Sequence, residues 1–176
     1  MLIAVLSVLI GSVVLDQFTK VLVVSCFDLH ETAPFLPGIM QFRYEQNTGA
    51  AFSMLSDQRW VFMLFSTVAI VLMAYLLVKF FRRHWLLSVS LAAVMGGGIG
   101  NMIDRIFAGY VVDFLDVQFM DFAVFNVADI FVTCGSVALG VYIVFVEPKV
   151  ERRLQEQKAA ENTPEEEENG RDDCNQ

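Results

Sequence analysis

A chain of 176 residues has room for one ordinary domain or two small ones, and its composition of 56% apolar and 18% charged residues, with a mean hydropathy of +0.55, excludes an ordinary soluble one. A net charge of −8 excludes a basic nucleic-acid footprint. Three cysteines without a CxxC pair, beside two histidines, leave little basis for a zinc site or a disulfide framework.

In chain order, the first apolar stretch runs from Met1 to about Phe27, interrupted by Asp16, Gln17, Thr19 and Lys20. It has no basic leader and no clear small-residue cleavage site, so a retained spanning helix is expected rather than a cleaved signal peptide. In the loop that follows, 28–59, Met40, Phe42 and Tyr44 alternate with Gln41, Arg43 and Glu45, the period of a strand, and Asn47-Thr48-Gly49 reads as a turn. A small sheet resting on the bilayer surface is expected there. Trp60–Val78 has no charge and forms the second span; Lys79, Arg82 and Arg83 follow it. The third span, Leu86–Ile103, contains Gly96, Gly97, Gly98 and Gly100. Gly96 and Gly100 make a GxxxG spacing, which permits close helix approach. The loop 106–125 has no Lys or Arg and is dense in aromatics that suit a water–lipid boundary: Phe107, Tyr110, Phe114, Phe119, Phe122 and Phe125. The fourth span runs from about Asn126 to Val146.

Lys149, Arg152 and Arg153 open the tail, whose later part contains Glu165–Glu168, Asp172 and Asp173. Residues 147–176 hold ten acidic and five basic residues, whereas residues 1–146 hold ten and seven. The fold class expected is an all-α membrane protein with four transmembrane helices and a small extramembrane β element in the first outer loop. Residues 1–150 form the membrane domain, and 151–176 an acidic, disordered cytoplasmic tail. The bias of Lys and Arg in the short connections puts both termini in the cytoplasm and the loops 28–59 and 106–125 outside.

Charged groups inside spans are costly and default to functional hypotheses. Asp16 and Lys20 share a helix face at i, i+4, Asn101 shares one with Asp104 and Arg105, and Asn126 shares one with Asp129. At about 1.5 Å per residue across a core of about 30 Å, Asp16 and Lys20 lie roughly 20 and 27 Å from the inner boundary. Asn101 and Asp104 lie at roughly 22 and 27 Å, Asp129 and Asn126 at roughly 25 and 30 Å, so three helices carry their polar groups at one level. Asp113 enters from the loop joining two of them. A network that only holds the bundle together is one reading. Four carboxylates, however, face two cations. Lys20 is the natural partner of Asp16 and Arg105 is adjacent to Asp104, which leaves Asp113 and Asp129. Two poorly hydrated carboxyls share a proton, the electrostatics of an aspartic-protease dyad. Asp116 and Asp121, also in the outer loop, are alternatives expected to be more exposed.

Five segments in order then resemble lipoprotein signal peptidase (signal peptidase II), a bacterial inner-membrane aspartic endopeptidase family. They are Asp16-Gln17-Phe18-Thr19-Lys20, Asn47-Thr48-Gly49-Ala50-Ala51-Phe52, Gly100-Asn101-Met102-Ile103-Asp104-Arg105, Val111-Val112-Asp113-Phe114 and Phe125-Asn126-Val127-Ala128-Asp129. The resemblance implies that Asp113 and Asp129 are the catalytic pair. It implies that Asn47, Gly49, Asn101, Arg105 and Asn126 bind substrate or support the site, with Asp16, Lys20 and Asp104 as the supporting network. It implies a prolipoprotein substrate whose diacylglyceryl cysteine follows the cut, and no metal or other cofactor; membrane lipid as a further partner, no nucleic acid and a monomer are also expected. Met120-Asp121 stand where the family tends to have bulky aromatics and a proline, and the stretch between Asp113 and Asp129 is a few residues short.

Two other chemistries fit parts of this pattern. Lys20 with Ser25 or Ser53 could form a Ser–Lys dyad. Asp16, Asp104 and Asp129 could instead form the relay of a proton-coupled transporter, which would put polar groups at several depths, whereas the inner halves of these spans are apolar apart from isolated serines and threonines. Cys26, Cys134 and Cys174 are expected outside, in the membrane and in the cytoplasm, with no role.

Overall fold

The computed structural model describes residues 1–49 and 59–161. Residues 1–139 form one compact unit and the chain from Gly140 a second. The first unit begins with helix α1 (Leu2–Cys26) and a hairpin of β1 (Thr32–Leu36) and β2 (Met40–Asn47). Helices α2 (Arg59–Phe80) and α3 (Trp85–Phe107) follow, then β3 (Val111–Val117) and α4 (Val127–Val141). The second unit carries a π-helical turn, Tyr142–Val146, and α5 (Glu147–Glu161). Four helical segments are long and apolar enough to cross a membrane: Leu2–Cys26, Trp60–Phe80, Trp85–Phe107 and Val127–Ala159. They match the four expected spans to within a residue at the ends of the first and at the start of the fourth, which runs on past Val146.

Helix α3 is the centre of the first unit. Leu91 and Ala92 are fully buried, and small residues let its neighbours approach. A Cβ on Gly96 would lie 2.9 Å from the Leu9 carbonyl and collide with the Ser12 hydroxyl, and one on Gly100 would lie 2.5 Å from Asp16 Oδ2. The GxxxG spacing therefore seats α1. Gly97 does the same for α4, where a Cβ would collide with the Ala128 carbonyl. By contrast, α2 turns much of its apolar surface outward, as a lipid-facing helix does: Trp60, Leu64, Phe65, Val68, Val71 and Val78 are exposed.

The extramembrane sheet is antiparallel, in the order β1-β2-β3. The β2 strand falls where the alternation predicts it. Two members were not foreseen. β1 contains Pro34, which removes a ladder donor and suits its place at the sheet edge. β3 comes from the loop 106–125, so the sheet is built by both loops rather than by 28–59 alone. Val111–Leu115 is buried on both faces, so apart from Asp113 it is apolar and shows no alternation. The sheet buries Tyr44, Val112 and Phe114 against Val23 of α1.

The turn between α3 and β3 fixes where Asp113 lands. The backbone N–H groups of Ala108 and Gly109 both donate to the Asp104 carbonyl, at 2.8 and 3.1 Å, and Gly109 takes φ +86°. That left-handed end is natural to glycine.

Candidate active site

Helix α4 starts with a reciprocal cap. Asn126 Oδ1 accepts from the Asp129 N–H at 3.0 Å, and Asp129 Oδ2 accepts from the Asn126 N–H at 3.2 Å. This is a capping box with Asn and Asp in the two roles. The next free donor of that helix end, the Ala128 N–H, goes to Asp16 Oδ1 at 2.9 Å. The i, i+3 pair noted in the sequence is therefore the helix start itself, and it points a carboxylate at its own cap residue.

The Asn126 side chain then ties the two remaining carboxyls together. Its Nδ2 donates to Asp113 Oδ1 at 2.6 Å and to Asn101 Oδ1 at 3.1 Å. Asn101 Nδ2 donates to Asp129 Oδ1 at 2.8 Å. On its other oxygen Asp113 accepts from Asn47 Nδ2 at 2.9 Å, while Asn47 Oδ1 is held by the Gly49 N–H at 2.9 Å. Gly49 thus contributes through its backbone by fixing which way the Asn47 amide faces. Asp113 and Asn126 are buried, Asp129 half-buried.

Behind this pair lies the charged layer. Lys20 Nζ is 2.8 Å from Asp16 Oδ2 and 2.9 Å from Asp104 Oδ2, and it donates to Asn101 Oδ1 at 2.8 Å. The cations are therefore shared out differently from the sequence expectation. Lys20 pairs with both Asp16 and Asp104. Arg105, expected beside Asp104, instead donates to the Asn101 carbonyl at 3.4 Å, lies over the Phe62 ring at 5.6 Å and lines the cavity. The ammonium has three donors and reaches both carboxylates from within α1, and three charge-assisted contacts outweigh one. Among the described residues, no ion pair joins Asp113 or Asp129.

Sequence reasoning gave Gln17 no role. Its Nε2 donates to Asp104 Oδ1 at 2.9 Å and to the Gly100 carbonyl at 3.1 Å, closing the charged layer. An amide inside an apolar span was the signal for it.

Asp113, Asp129, Asn47, Asn101 and Arg105 face a cavity of about 470 Å³ whose remaining wall is mostly apolar: Val111, Phe122–Phe125, Ile130, Thr133 and Cys134. A second cavity of about 240 Å³, between α2, α3 and α4, shares Asn101, Arg105 and Asp129 with it. The polar groups sit where the two meet. Burial pushes the Asp113 carboxyl up to about 7; the charge of Asp129 pushes the same way, against the Asn47 and Asn126 amides and the charge of Lys20. Such a carboxyl holds a proton near neutrality beside a second one, the requirement for activating water.

The competing residues stand elsewhere. Asp116 is half-buried and accepts from Gln41 at 2.7 Å, and Asp121 is exposed; neither lines the cavity. Ser25 is exposed and donates to the Val21 carbonyl at 2.7 Å, so no Ser25–Lys20 pair forms. Ser53, residues 50–52 of the second motif, Cys174 and the run of acids in the tail lie outside the described residues. Cys26 is exposed at the end of α1, and Cys134, expected to have no role, lines the cavity.

The chain is similar to known proteins over most of its length. The family model for signal peptidase (SPase) II matches residues 8–145. A lipoprotein signal peptidase of Symbiobacterium thermophilum is 47% identical over 142 residues, 80% of this chain and 93% of that protein. One of Streptococcus pyogenes serotype M2 is 44% identical over 131 residues, 74% of this chain and 86% of that protein. A bacterial membrane enzyme solved by the in meso method at 2.3 Å resolution superposes with TM-score 0.74 at 25% identity, covering 93% of each chain. A match that runs from α1 past the capped start of α4 takes in every carboxylate and amide of the cluster, and the chain belongs to the signal peptidase II family of lipoprotein signal peptidases.

Proposed function

We propose that this protein is an aspartic endopeptidase that removes the signal peptide from prolipoproteins, cutting just before a diacylglyceryl-modified cysteine. Asp113 and Asp129 activate a water: one takes its proton as it attacks the scissile carbonyl, and the other protonates the carbonyl oxygen. The observation that carries this reading is the pair itself. Two carboxyls that no ion pair engages among the described residues share one asparagine, Asn126, and face a largely apolar cavity together.

The surrounding residues fit supporting tasks. Asn47, Asn101 and Asn126 orient the two carboxyls, and Asp16, Lys20 and Asp104 hold α1 and α3 beneath them. Arg105 on the cavity wall offers a planar fork of donors to a peptide carbonyl or to the lipid-bearing end of the substrate. An apolar cavity in the outer third of the bilayer suits a substrate whose own lipid holds its scissile bond at that level. The enzyme acts as a monomer in the bacterial cytoplasmic membrane, with both termini in the cytoplasm and the site near the outer face.

Mass spectrometry of the products tests this reading. A diacylglyceryl-modified precursor should yield a fragment beginning with the modified cysteine, and the same precursor without lipid should be cut far more slowly. Equal cleavage of both, or a cut elsewhere, would contradict it.

A further inference from the structure

The two carboxyls are not held alike, and the difference leads back to Lys20. Asn101 Oδ1 accepts from Lys20 Nζ at 2.8 Å and from Asn126 Nδ2 at 3.1 Å. Both lone pairs of that oxygen are in use, so turning the amide over would cost two hydrogen bonds. The other end of the amide, Nδ2, is thereby committed to Asp129 Oδ1 at 2.8 Å. Asp129 also receives a backbone N–H on its second oxygen and sits in the first turn of α4, the positive end of a helix dipole. Asp113 has neither. It lies on a strand and is bound by two neutral side-chain amides, those of Asn47 and Asn126.

We propose that Lys20 is a positioning residue of the peptidase reaction, acting through the Asn101 amide to orient Asp129 as the base, with Asp113 as the acid. The assignment rests on the aspartic reading above. In the first step the water oxygen bonds to the scissile carbonyl carbon, its proton passes to Asp129, and the Asp113 proton passes to the carbonyl oxygen. In the second, the diol returns a proton to Asp113 as its C=O re-forms, the C–N bond breaks, and the departing nitrogen takes the proton from Asp129. The dyad ends as it began.

Among the described residues, the charged and titratable groups around the dyad are Asp16 and Lys20 from α1, Asp104 and Arg105 from α3, and Asp113 and Asp129 themselves. Glu45, the cross-strand neighbour of Asp113, is tied to Arg43 and His30. Lys20 is the cation joined to the dyad through a single amide.

The test is the pH profile of kcat/KM for the full-length enzyme acting on a diacylglyceryl-modified precursor peptide. Asn101→Leu leaves Lys20 its two carboxylates, so the fold keeps its ion pairs. In this variant the acidic limb should move up by about one pH unit, with kcat about tenfold lower and KM within about twofold. The double variant Lys20→Gln, Asp16→Asn removes the charge together with one of its two carboxylates, while Asp104 keeps its hydrogen bonds from Gln17 and the Val112 N–H, and it should move the same limb the same way. Lys20→Arg should keep the parent limb even where its rate is lower. An unmoved acidic limb in both charge-relay variants, with only the melting temperature changed, would overturn the proposal. Failure of the aspartic reading looks different: Asp113→Asn or Asp129→Asn would still cleave.

Discussion

Asp113 shows how a single side chain links stability to pH. Its carboxyl is held near 7 when buried, against an ordinary value of 3.8. The folded state therefore binds this proton more tightly than the unfolded chain. The stability it contributes is full below pH 3.8 and is lost as pH rises through about 7. The melting temperature of the parent in detergent should accordingly fall over that window relative to Asp113→Asn, which has no proton to lose. Parallel curves for the two proteins would contradict the assignment. At this scale the sequence was legible where spacing decides and illegible where reach decides. Depth along the helices brought Asp16, Lys20, Asn101, Asp104, Asn126 and Asp129 to one level. It could not tell that one lysine would take two carboxylates, because that depends on how closely α1 and α3 approach.

That approach belongs to the elements. Gly100 leaves room for Asp16, and Asp16 in turn caps the Ala128 N–H of α4. Gly100→Ala should displace Asp16 from both partners. We expect a loss of about 1–3 kcal/mol, as for other overpacked contacts, and a matching loss of cleavage. Gly11→Ala is the control: nothing lies within 4 Å of its would-be Cβ, and the change should stabilise α1 by about 0.5–1 kcal/mol. Thermal denaturation of the two variants side by side decides the point; equal effects would contradict the packing role of Gly100. Asn126→Ala should cost about 1 kcal/mol from the lost cap and should reduce cleavage by much more than that loss of stability explains, since the same side chain also holds Asp113. The helices and β2 were readable because their periods are clear. β3 was not, because a strand buried on both faces shows no alternation, and β1 was not, because its proline argues against a strand except at an edge.

Over the whole molecule, charge and catalysis separate. Most of the net charge of −8 belongs to residues 147–176, and the acids that shape the site are a few within the apolar body. Deleting residues 162–176 should therefore leave cleavage of a lipidated precursor within about twofold of the parent; a larger loss would give the tail a role in the reaction. The topology proposed from Lys and Arg placement makes its own forecast. In a variant lacking the native cysteines, Thr32→Cys should react with a membrane-impermeant thiol reagent added to intact cells, and Arg153→Cys should react only after the cells are opened. The reverse pattern would invert the molecule and carry the site to the wrong leaflet.

The central claim is that Asp113 and Asp129 together perform the cleavage. Asp113→Asn and Asp129→Asn are nearly isosteric and keep a hydrogen-bonding group at each place. Each purified variant, shown to be folded by its melting temperature and assayed on a diacylglyceryl-modified precursor, should lose at least about a thousandfold in kcat/KM. Cleavage near the parent rate by either one would contradict the account.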